Sequence, residues 1–180
     1  MNKIINIFII IPFIYSCNSL NLQEYDAWLK ENKSNLESEL QCNNIKFKME
    51  YVPVEFNKIK KSIEDESDLK EEFILNIDLP DYHNIKSEPE VLFNYTELFM
   101  PEELLLIQGV DTINCLSTIL ESGLPNSEAH YKVLILFNGR LKSNSEKVSI
   151  EYHDNLFSCD QVLKFEFSKL NISKLPKIKK

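Results

Sequence analysis

Between Ile45 and Val52, apolar and polar side chains alternate almost one for one, with Ile45, Phe47, Met49 and Tyr51 on one side and Lys46, Lys48, Glu50 and Val52 on the other. A period of two fits a strand with one buried face and not a helix, because successive strand side chains point to opposite faces. Pro53 ends the run or places its end at a sheet edge. The alternation returns from Phe73 to Leu79. Apolar runs at Leu104 to Gln108, Tyr131 to Phe137, Lys147 to Tyr152 and Val162 to Phe167 read as four further strands, and Asn138-Gly139 is a favoured tight-turn pair.

Helical signals fall between these strands. From Gln23 to about Glu39, Tyr25, Trp28, Leu29, Leu36 and Leu40 lie near one stripe, which predicts an amphipathic helix packed on the core. The charged stretch Asn57 to Glu72 holds Ser62 and Asp65 at capping-box spacing and reads as a solvated helix or loop. Asp81 to Pro89 reads as loop, and Val91 to Met100 as a short buried helix. Asp111 or Thr112 can cap a helix with apolar positions Ile113, Leu116, Ile119 and Leu120, with Gly123 past its end and Pro125 stopping it. Strands and helices do not alternate regularly, which argues against a doubly wound parallel sheet. The expectation is an α+β domain on an antiparallel β-sheet, folded over as a sandwich, with an N-terminal amphipathic helix and two or three short helices.

The start of the chain constrains the compartment. Lys3 precedes an apolar run, Ile4 to Ile14, that ends at Tyr15-Ser16-Cys17. The run is shorter than the ~20 apolar residues needed to cross a ~30 Å hydrocarbon core, so it reads as a secretion signal. A small residue before a cysteine, with Ile14 three positions upstream, resembles the lipobox of bacterial lipoproteins. That predicts a signal peptide over 1–16, a lipid on Cys17, a short tether over 17–22 and one globular domain over 23–180. Asn18 stands where an aspartate would hold such a protein at the inner membrane, so the expected location is the outer membrane.

The 28 acidic residues outnumber the 20 basic ones, and Arg140 is the single arginine. Such a chain lacks the clustered cations that displace phosphate counterions, so nucleic acid is not an expected partner. With three glycines no phosphate cradle can be built, so no nucleotide or other cofactor is expected. Cys42 and Cys159 each sit in a polar, turn-like context just ahead of a strand-like run, and they are the pair expected to form a disulfide. Cys115 lies among Ile113, Leu116 and Ile119 as a core residue. No cysteine pair has zinc spacing.

A hydrolytic site would need Cys115 or Ser117 beside His130 or His153 and an acid such as Asp154, but neither nucleophile sits in an elbow sequence. No catalytic set is therefore expected. Asp81 with His83, or His153 with Asp154, could offer metal ligands, although an Asp in a turn ordinarily bonds its own backbone, and no metal site is expected. Gly109 to Cys115 could aim helix amides at an anion, but capping by Asp111 or Thr112 accounts for the same residues. The basic tail, Lys174, Lys177, Lys179 and Lys180, reads as a solvated terminus.

The blocks Tyr51-Val52-Pro53-Val54-Glu55, Gln108 through Cys115, Leu134-Ile135-Leu136-Phe137, Tyr152 through Phe157, Lys164-Phe165-Glu166-Phe167 and Leu175-Pro176-Lys177 together resemble a family of uncharacterised lipoproteins of Bacteroidota. The resemblance implies a cell-envelope lipoprotein and carries no activity across. The chain departs from it in lacking a more aromatic, arginine-containing helix after Cys115. The leading expectation is a non-enzymatic binding or structural module held to the membrane by its lipid, with an envelope protein as partner. Two alternatives are a periplasmic hydrolase or its degenerate relative, and an immunity or inhibitor protein against an envelope toxin.

Overall fold

The computed structural model describes residues 19–60, 70–79, 89–121, 129–142, 147–159, 161–167, 170 and 172–178. Cys17, the Ser62 and Asp65 pair, Asp81 with His83, and Gly123 lie outside these residues. Among the described residues no helix is long and apolar enough to cross a membrane.

Eight strands form one antiparallel sheet. They are β2 (Glu37–Cys42), β3 (Ile45–Val52), β4 (Glu71–Leu79), β5 (Leu104–Gln108), β6 (Asp111–Glu121), β7 (Ala129–Phe137), β8 (Val148–Tyr152) and β9 (Leu163–Glu166), in the order β2-β3-β4-β7-β6-β5-β8-β9. A separate parallel pair joins β1 (Ser19–Leu20) to β10 (Lys177–Ile178). Among the described residues the α-helices are α1 (Leu22–Glu31), α2 (Lys33–Leu36), α3 (Val54–Lys60), α4 (Pro89–Leu98) and α5 (Met100–Glu103).

This overturns the expected sandwich. One continuous sheet rolls until its edge strands β2 and β9 come together, giving a nearly closed, barrel-like shell. The corner is β6, whose residues Asp111 to Asn114 pair with β5 while Cys115 to Glu121 pair with β7. A register shift between Cys115 and Ser117 marks a bulge there, and bulges bend a strand and raise its twist. Alternating strands need only a buried face, and a rolled sheet supplies that as well as two stacked sheets do. Phe73 on β4 and Phe167 beyond β9 meet across the interior with ring centroids 5.5 Å apart.

Two helices expected from sequence are also corrected. The segment with Ile113, Leu116, Ile119 and Leu120 is strand β6, following a two-residue turn in which Gly109 has φ +64°. The N-terminal helix stops at Glu31; after the single turn α2, Glu37 begins strand β2. Asn21 caps α1: its side chain accepts the Glu24 N–H at 2.9 Å, and the Glu24 carboxylate accepts the Asn21 N–H at 2.8 Å. Glu37 in turn is drawn into the sheet by Lys48 of β3, at 2.8 Å.

The inward faces of all the long strands merge into one core. Phe47, Phe73, Leu75, Leu106, Ile135, Phe137, Ile150 and Phe165 are fully buried in it. At roughly 1.5–3 kcal/mol for each large apolar side chain taken from water, this interior is the main driving force of the fold.

Candidate functional site

The residues that a hydrolytic site would need are spread over the shell. Cys115 pairs in register with Phe137, whereas His130 is seven residues away along β7, about 23 Å at strand rise. His130 pairs instead with Asp78 of β4, its Nδ1 against the carboxylate. Asn114, Leu105 and Glu151 form one row across β6, β5 and β8. The loop carrying His153 therefore lies two strand spacings from β6, about 10 Å. Burial pushes the Cys115 thiol up to about 12, and its S–H lies 3.4 Å from the carbonyls of Ser117 and Leu136. A protonated, half-buried thiol is a poor nucleophile. Among the described residues no three His, Cys, Asp or Glu side chains gather as metal ligands, and Gly109 to Cys115 opens a strand rather than presenting helix amides.

Asp154 organises its own loop. Its Oδ1 accepts the N–H groups of Leu156 and Phe157 at 3.0 and 2.8 Å, and its Oδ2 accepts that of Cys159 at 2.9 Å. Cys159 is bonded to Cys42, the last residue of β2, with Cα atoms 6.0 Å apart. Asn43 adds a bond from Nδ2 to the Ser158 carbonyl at 2.8 Å. The seam between the edge strands is thus closed by a covalent staple and a side-chain bond.

Two buried polar clusters escaped the sequence reading. Glu71, 2% exposed, accepts the Tyr51 hydroxyl at 2.9 Å, the Leu141 N–H at 2.9 Å and Arg140 Nε at 3.2 Å. Burial raises its carboxyl above the ordinary glutamate range, and these donors act against the shift. Gln108 holds the same segment from the other side, donating to the Arg140 carbonyl at 3.2 Å and accepting the Lys142 N–H at 2.8 Å. The signal for both was present: the inward alternation Phe73, Leu75, Ile77 runs back to Glu71, and Leu104, Leu106 runs on to Gln108.

In the second cluster the Tyr95 and Tyr152 hydroxyls are 3.1 Å apart, with Tyr95 bonded to Glu103 and Tyr152 to Asp154 at 3.2 Å. Burial raises both phenols. Both clusters are consumed in fastening helix α5 and the loops to the sheet.

Among the described residues a groove of about 230 Å³ opens between α1, α2 and the C-terminal segment. Trp28, Leu36, Leu170 and Leu175 supply its apolar walls, and Asn32, Asn35 and Lys174 its polar edge. The sequence reading assigned Trp28 to the helix face that packs on the core; the ring is half-buried and also lines this groove. The parallel pairing of Ser19 with Lys177 and Leu20 with Ile178 brings both ends of the described chain beside it.

This geometry defines a disulfide-closed, barrel-like antiparallel sheet with a groove at its chain ends. No known protein family and no curated protein matches the chain. A solved structure from Burkholderia pseudomallei, described as a novel protein of unknown function, is 12% identical and covers 84% of this chain and 92% of its own, with a TM-score of 0.38. That likeness is too slight to carry fold or function across.

Proposed function

We propose that this chain is a cell-envelope lipoprotein, anchored through Cys17, whose barrel-like domain is a non-enzymatic binding or structural module. The observation that carries this reading is the Cys42–Cys159 bridge across the sheet seam. Disulfides persist in oxidising compartments outside the cytoplasm, which is where a signal over 1–16 would send the domain. The scatter of Cys115, Ser117, His130 and His153 supports the non-enzymatic part. The expected location is the outer membrane, and the expected partner an envelope protein.

Radiolabelled palmitate tests the anchor. The wild-type chain should incorporate label and fractionate with the outer membrane, while Cys17→Ser should lose label and be released or remain as precursor. A wild-type product that takes up no label and keeps its initiating methionine in the cytoplasm would overturn the reading. Crosslinking in cells should then recover a specific envelope protein; repeated recovery of none counts against the binding role.

A further inference from the structure

We propose that the groove lined by Trp28, Leu170 and Leu175 receives an acyl chain borne by Cys17, so that the domain shelters part of its own anchor. The inference rests on the lipoprotein reading above and adds an occupant for the groove. Ser19 pairs with Lys177, and Leu175 on the groove wall lies two residues before Lys177. Cys17 lies two residues before Ser19. Two residues reach at most about 7 Å, and adjacent strands are about 4.8 Å apart. The covalent attachment point is therefore tied to the end of the domain that carries the groove, within reach of a long acyl chain.

The lining matches such a guest. Trp28, Leu36, Leu170 and Leu175 remove methylenes from water, and Lys174 and Asn35 offer donors to the carbonyls at the head of an acylated cysteine. A groove lined only by apolar side chains would leave those carbonyls unpaired.

Trp28 is the single tryptophan, so its emission reports this site alone. The mature chain carrying Cys17→Ser is titrated, without vesicles, with palmitate brominated near its methyl end, a contact quencher. Saturable quenching at one palmitate per chain is expected, about ten-fold weaker in Leu175→Asn and retained in Leu175→Met. The acylated wild-type chain should resist quenching by added palmitate, because its groove is already filled. Absence of saturable quenching in the Cys17→Ser chain, or equal quenching in the acylated chain, overturns the proposal. The mass of the purified wild-type chain separates the two failures. A chain without lipid defeats the anchor and the groove proposal together, whereas a lipidated chain with an unresponsive groove defeats only the latter.

Discussion

The carboxylate of Asp154 accepts the backbone N–H of Cys159 at 2.9 Å, so the residue that shapes the loop after β8 also holds one half of the seam disulfide in position. Two more loop N–H groups end on the same side chain. Removing this acceptor strands all three N–H groups and takes one partner from the Tyr152 hydroxyl, each bond to a charge being worth about 1.5–3 kcal/mol net at most. Asp154→Ala should therefore lower unfolding free energy by about 2–4 kcal/mol in urea, and Asp154→Asn by less. A loss below about 0.5 kcal/mol would remove this role.

The disulfide joins residues 117 apart in sequence. Closing a loop of that length in the unfolded chain corresponds to about 4–5 kcal/mol in the chain-entropy account. Unfolding free energies from urea titrations with and without dithiothreitol, and in Cys42→Ser with Cys159→Ser, should differ by a large part of that, with the midpoints shifted accordingly. Indistinguishable midpoints would show that the seam holds without its staple.

Glu71 should make stability fall as pH rises. Its folded carboxyl is raised, burial being the largest cause, so between the ordinary glutamate range and the folded value the native state holds a proton that the unfolded chain has lost. Its contribution is complete at low pH and is lost as pH climbs through that window. Glu71→Gln keeps the shape and an acceptor for Leu141 while removing the buried charge. It should flatten this part of the pH profile of the denaturation midpoint, and an unchanged slope would contradict the assignment.

Cys115 should be silent to thiol reagents in the folded protein, since its thiol is half-buried and pushed up to about 12. In the Cys17→Ser chain with the bridge intact, a colourimetric disulfide reagent at pH 8 should titrate no thiol until denaturant is added, and then one. Rapid native reaction would reopen the possibility of a nucleophile on β6.

The strands were legible because their alternation is a direct print of one buried face. Ile45–Val52 is β3 with the bounds read from its alternation, and the run from Phe73 continues two residues further back than its apolar members show. The misreading of β6 has a definite cause. Its inward residues Asp111, Ile113 and Cys115 are followed, after the bulge, by Thr118 and Leu120. That three-residue step, with exposed Leu116 and Ile119 filling the gaps, imitates helical spacing. Leu36 and Leu40 likewise fit the stripe begun by Tyr25, although a chain turn separates them from it. The groove was not legible, because its walls come from segments far apart in sequence that only the folded chain brings together.

The pairing of β1 with β10 also orders events in time. Ser19 and Leu20 are made before all eight strands of the main sheet, and their partners Lys177 and Ile178 after them. The ribbon therefore cannot pair until each of those strands has been made, and contacts so distant along a chain close slowly. A chain cut short before Lys177 would lose this ribbon while keeping every strand of the main sheet.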